Sequence, residues 1–207
     1  MDQARKIREF WFGKLPLTLP AIQERMQFWF GGEDETPELR QQRDEAIRSQ
    51  FEPLIERAAC GELDSWADGP RRRLSLILLL DQFPRNIYRG TARAFAYDEK
   101  ALGLTLSGMQ SGADGALDVV ERIFFYMPLQ HAESLEVQDE SVAAYRRLLA
   151  EAPESMREIF GGCVKYAEMH REIIARFGRF PHRNRVLNRT STPEEIGYLR
   201  NAVTFGQ

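Results

Sequence analysis

Apolar residues recur at intervals of three and four along almost the whole chain, and strict alternation of apolar with polar residues is hard to find. A helix returns to the same face every 3.6 residues and a strand every two. The pattern therefore restricts the 207-residue chain to an all-α fold. Helices are predicted at about 3–12, 21–30, from 37 to a stop at Gly61, 70–82, 98–109, 116–126, 134–150 and 154–177, with a last one opening at Thr192. Thr36-Pro37-Glu38 reads as a cap, a first-turn proline and an early acid. Thr192-Pro193-Glu194-Glu195 carries a capping-box signature. Pro53 is expected to kink or restart its helix and Pro128 to make a helix-breaking corner, because an internal proline removes a donor and crowds the carbonyl four residues back. The result is eight or nine helices with short connections and no long Gly/Ser-rich linker, read as one domain over 1–207. No 34-residue repeat is visible.

The segments EFWFG and QFWFGG end the first two helices, and their aromatics are expected to anchor the core. At 43% hydrophobic residues the core can be substantial. A net charge of −3 gives no global attraction to nucleic acid or anionic membrane. The longest aliphatic run, LILLL at 76–80, is far short of the ~20 residues of a membrane span. The start, MDQARKIREF, has no apolar signal region. Cys60 and Cys163 form no Cys-x-x-Cys pair and fit a reducing cytoplasm. Lysine occurs only at 6, 14, 100 and 165, so most of the 28 basic residues are arginine. That excess fits bidentate grips on carboxylate or phosphate, or a base composition favouring arginine codons.

Polar residues interrupt two apolar faces. In the helix at 154–177 the stripe of Met156, Phe160, Cys163, Ala167, Ile174 and Phe177 leaves one slot, filled by His170. A histidine there needs a hydrogen-bond partner. In the helix at 70–82 the face of Leu74, Ile77 and Leu78 ends at Asp81, which must reach water or be paired. Beyond it stand Gln82, Arg85, Asn86 and Arg89. His131 lies beside Glu133, and His182 lies in FPHRN. Between 170 and 189 there are six arginines and one acid, which reads either as an anion site or as solvated helix ends. Phe-Pro-Arg-Asn at 83–86 and Phe-Pro-His-Arg-Asn at 180–184 are read as two corners following helices, both docking their phenylalanines on the core.

No Walker loop, Gly-x-Gly-x-x-Gly, Gly-x-Ser-x-Gly or His-Glu-x-x-His motif occurs. Asp81, His131, Glu133 and His170 are of metal-ligand type, but no spacing supports a metal site, and neither metal nor cofactor is expected. Cys163 and His170 lie about 10 Å apart by helix rise, too far for direct activation of a thiol.

LDQFPRNIYRGTARAFAYD at 80–98, YMPLQHAESLEVQ at 126–138, and HREIIARFGRFPHRN followed by LNRTSTPEE over 170–195 resemble a bacterial family known only as domain of unknown function nine-two-four. The FWFG segments and SWADGPRRRLSLILLLDQF fit the same resemblance, which spans nearly the whole chain. It implies an all-α, tetratricopeptide-like stack of antiparallel hairpins, and no activity. It marks as motif residues Asp81, Gln82, Arg85, Asn86, Asp98 and His131, and further on Glu133, His170, Arg176, His182, Arg183 and Asn184. Asn188 stands where glycine is expected and can adopt the left-handed conformation glycine would supply.

The expectation is a polar cleft where the two corners and the His131 segment converge. Arg85, Arg176 and Arg183 would hold an anionic small molecule, with Gln82, Asn86, Asp98, His182 and Asn184 as further binding groups. His131 or His170 would transfer protons, tuned by Asp81 or Glu133, in a hydrolytic or transfer reaction. The alternative is a non-enzymatic scaffold whose arginine-lined groove holds an acidic peptide. A third is a polar network that serves the fold alone.

Overall fold

The computed structural model describes residues 2–32 and 35–202. Among these there is no strand, and the chain forms helices α1 (Gln3–Phe12), α2 (Leu19–Phe30), α3 (Pro37–Ala59), α4 (Pro70–Ile77), α5 (Phe83–Ile87), α6 (Asp98–Gln110), α7 (Val119–His131), α8 (Leu135–Glu151), α9 (Arg157–Phe177) and α10 (Pro193–Leu199). A π-helical turn, Leu78–Gln82, joins α4 to α5, so the described residues form nine helical rods.

The central rod explains much of the architecture. Every residue from Leu74 to Tyr88 is buried. A helix apolar all round has no solvent face and must be enclosed. It is: α1 and α6 pack on α4, α3 packs on α5 and the π turn, and α7 reaches both α4 and the π turn. The hairpin arrangement expected of the chain holds for α7, α8 and α9, joined by short links and packed side by side. The first half instead wraps around the rod, a closed arrangement unlike a linear stack whose units touch only their neighbours.

Three prolines behave differently from expectation. Pro53 lies inside α3, which runs unbroken to Ala59. Pro128 lies inside α7, which continues to His131. Pro128 leaves the Phe124 carbonyl without its helical donor, and side chains reinforce the carbonyls on either side: Tyr145 donates to Ile123 O at 2.7 Å and Thr105 to Phe125 O at 2.9 Å. Pro84 does not turn the chain away from the helix either. The wider π turn closes with Phe83 N–H on Leu78 O, immediately before the proline, and the rod carries on through Arg85 and Asn86. The corner expected at 83–86 is therefore helix. The one at 180–184 is a true corner: Gly178 ends α9 in the left-handed conformation at φ 69° and a short 3-10 turn follows over Pro181–Arg183.

Trp11, Phe12, Phe51, Phe83 and Phe124 are fully buried and meet edge-on or tilted, with Trp11 to Phe124 at 5.4 Å and Phe51 to Phe83 at 5.2 Å. Trp29 joins them, its indole N–H donating to Trp11 O at 2.9 Å. Phe30 departs from the expected anchoring role and is 50% exposed. Asn188 takes φ 54°, the left-handed geometry foreseen for it. Thr192 and Glu195 form the capping box of α10.

Candidate functional site

Asp81 is placed by the π turn, inside the rod rather than at a wet end. Its side chain is fully buried, and an isolated carboxylate there would be very costly. It is instead surrounded by donors. His131 Nδ1 lies 2.6 Å from Oδ1, Gln82 Nε2 donates to Oδ2, and Arg85 Nη1 lies 3.3 Å from Oδ1 while donating to the Asp81 carbonyl at 3.0 Å. Burial opposes the charged form, but Arg85, His131 and Gln82 outweigh it and hold the carboxyl well below the usual range. His131 is shifted down by burial and by the Arg85 charge, against the pull of Asp81. An ionised Asp81 beside a neutral His131 places the proton on Nδ1 and leaves Nε2 as the basic nitrogen.

His131 sits at the last turn of α7, held there by Gln138 of α8. Gln138 Nε2 reaches the carbonyls of Leu129, Gln130 and Ala132 at 3.3, 2.7 and 2.8 Å. His170 occupies the slot in the α9 stripe, is buried, and its Nδ1 contacts the Tyr166 carbonyl at 2.7 Å. The two imidazole centroids are 6.3 Å apart. Burial is the main reason His170 is lowered to about 3.

Both histidines line a cavity of about 650 Å³ bounded by α2, the start of α3, α5, α7, α8 and α9. Gln82, Arg85 and Asn86 also line it, so five of the expected residues come together there. The sequence reading missed Arg40, Arg43 and Glu35 as lining groups, along with Tyr145 and Tyr166, and it gave Arg89 no role. Arg43 and Arg40 lie in the first two turns of a helix that looks like an ordinary solvated one. Trp29, Phe30, Met26, Ile123, Met127 and Ile159 supply apolar wall. Cys163 lines it too, but burial pushes its thiol up to about 12, so it is no ready nucleophile.

The other expected residues stand elsewhere. Asp98 lies behind the cavity and takes both Arg85 nitrogens at 2.8 Å and Arg183 Nη1 at 3.3 Å. Both guanidinium groups also lie over the Phe95 ring. The two Phe-Pro-Arg-Asn segments thus meet at Asp98 and Phe95, not across the cavity. Arg183 and Asn184 are buried and His182 is half-buried, and none of the three lines the cavity wall. Asn184 Nδ2 donates to Ser191 Oγ and Glu195 Oε2. Glu133 accepts from the Phe180 N–H at 2.8 Å and from two nitrogens of Arg189. Arg176 pairs with Glu194 on the surface. Of the six arginines between 170 and 189, Arg171, Arg176, Arg179, Arg183 and Arg189 each pair with a different acid. The charge excess of that stretch is balanced by acids from other segments and does not converge on one point.

An all-α protein with an arginine-lined cavity, whose wall carries a histidine held from behind by a buried aspartate, is the class that fold and site define. The chain belongs to the family of bacterial proteins of unknown function called DUF924, whose sequence profile matches residues 7–202. It is similar to the solved structure of a protein of unknown function from Agrobacterium tumefaciens, at 35% identity and a TM-score of 0.77, over 96% of this chain and 97% of that one. No curated protein matches it in sequence. Among the described residues no helix is long and apolar enough to cross a membrane, and no group of three or more histidine, cysteine or acidic side chains is placed to hold a metal ion.

Proposed function

We propose that the cavity binds a small organic anion, a carboxylate or phosphate, and that His131 acts on it as a general base in a hydrolytic or transfer reaction. The observation that carries this reading is the 2.6 Å contact between Asp81 and His131 at the wall of a cavity also lined by Arg85. A fully buried carboxylate fixes the tautomer and orientation of the imidazole and stabilises the imidazolium formed when Nε2 takes a proton. In hydrolysis that proton comes from water, the resulting hydroxide attacks the electrophilic carbon or phosphorus, and the imidazolium returns the proton to the leaving group. Arg85, held in one orientation by Asp98, is the anion's first contact, and Asn86 and Gln82 are neutral partners beside it. An acidic-peptide scaffold would spread its arginines along an open face; here Arg40, Arg43, Arg85 and Arg89 line a single cavity.

The test is a thermal-shift screen of carboxylates and phosphate esters, followed by hydrolysis assays on esters of any stabilising anion. The expected result is a stabilising anion whose effect is lost in Arg85→Lys and kept in Arg176→Ala. Turnover would then vanish in His131→Gln while binding persists. An anion that still stabilises Arg85→Lys but no longer stabilises Arg176→Ala would overturn the proposal.

A further inference from the structure

Arg40 and Arg43 stand one turn apart at the start of α3, where Thr36 caps the helix and Pro37 opens it. Both line the cavity, and both are engaged by one carboxylate: Glu35 Oε2 lies 2.8 Å from Arg40 Nε and Oε1 lies 2.6 Å from Arg43 Nη1. Arg43 is the fixed member. It is mostly buried, it donates to the Phe28 carbonyl at 2.8 Å, and its Nε has no hydrogen-bond acceptor among the described residues. Arg40 is the looser one, with 47% of its side chain exposed. Glu35 lies against Gly31, itself a cavity residue at φ 75°, whose left-handed backbone favours glycine and where an added Cβ would come within 2.8 Å of Glu35 Oε2. A carboxylate of the chain itself thus lies against the cavity between two guanidinium groups.

We propose that Arg40 and Arg43 form a second anion subsite of the cavity, held by Glu35 in the free protein, and that the ligand is an organic dianion whose second acidic group displaces Glu35. The proposal rests on the anion-binding reading of the Arg85 end. It follows from the exchangeability of like groups: whatever geometry accepts the Glu35 carboxylate accepts a carboxylate or phosphate oxygen of a ligand. Self-occupancy also weakens apparent affinity by the fraction of time the subsite is closed, so removing Glu35 tightens binding of a ligand that uses it.

Calorimetric titration of the full chain with glutarate, a dianion, and butyrate, its monoanionic counterpart, tests this. Glu35→Ala is expected to bind glutarate about tenfold more tightly than the unaltered protein, with butyrate changed by less than about twofold. Adding Arg40→Ala to Glu35→Ala should abolish the gain. Glu45→Ala, which removes one negative charge from an exposed position of the same helix, should leave both affinities alone. An equal gain for both probes, or the same gain in Glu45→Ala, would mean a general charge effect and overturn the second subsite. Butyrate and glutarate binding that depends on Arg85 but not on Glu35 would overturn the subsite and leave the first reading standing. Butyrate binding with no glutarate binding by any variant would overturn the subsite alone, and binding of neither probe by any variant would overturn both.

Discussion

Asp81 and Asp98 both engage Arg85, yet only Asp81 also engages an imidazole: it orients His131 as well as Arg85, whereas Asp98 orients Arg85 and Arg183. The three histidines have the opposite problem from the aspartates. Burial disfavours their charged form, with Arg85 adding to it at His131 and Arg183 at His182, and His170 and His182 fall to about 3. Unfolded histidine titrates near 6.5. The folded chain therefore binds fewer protons than the unfolded one below that pH, and its stability is complete above about 6.5 and lost as pH falls towards 3. Each fully shifted histidine contributes a slope of up to about 1.4 kcal/mol per pH unit. Urea unfolding at pH 7.5 and pH 5.5 should show a loss of about 3 kcal/mol from His170 and His182 together, and His170→Gln should reduce that loss by about half. Equal stability at the two pH values would contradict neutral burial of these rings.

Helix identity and most boundaries were legible in the sequence, because caps and periodicity are local. Thr36 and Thr192 do what their neighbours in sequence predict. The prolines were not, because the donors that let Pro128 stay helical come from Thr105 and Tyr145, 23 and 17 residues away, and Pro84 is accommodated by a π turn that periodicity does not announce. The candidate site was legible at Asp81 and His170, whose polarity contradicts their faces. It was illegible at Arg40 and Arg43, whose polarity suits an exposed helix. Gln138 Nε2 reaches the carbonyls of Leu129, Gln130 and Ala132 at the end of α7, of which Leu129 O also accepts the Ala132 N–H. Leaving buried carbonyls without donors costs about 1–3 kcal/mol. Gln138→Ala should lower urea-unfolding stability by about that amount and loosen His131 with it, seen as broadening of its imidazole proton resonances. Unchanged stability would show that other groups hold the end of α7.

At the scale of the whole molecule the described residues carry two apolar clusters of unequal size. The large one surrounds the central rod; the small one gathers Ile173, Ile174 and Phe180, with Phe177 and Tyr198 packed against it. So few apolar side chains cannot hold the segment after α9 on their own, and its attachment is polar. Glu133, on the link between α7 and α8, binds the Phe180 N–H and Arg189, while Glu195 binds Arg179 and Asn184 and caps Thr192. Arg189 and Phe180 act as the near side of this clamp and the α7–α8 link as the far side. Segments with few buried apolar contacts open locally at lower free energy than the core. Glu133→Ala should therefore speed amide exchange from Phe180 to Leu199 well before it affects the rod from Leu74 to Tyr88, and should cost no more than about 1–3 kcal/mol in overall unfolding. Hydrogen exchange read by mass spectrometry separates the two regions. A uniform rise across both would mean that the clamp is continuous with the main core, whereas a rise confined to the last segment makes it a separately opening unit laid over His170.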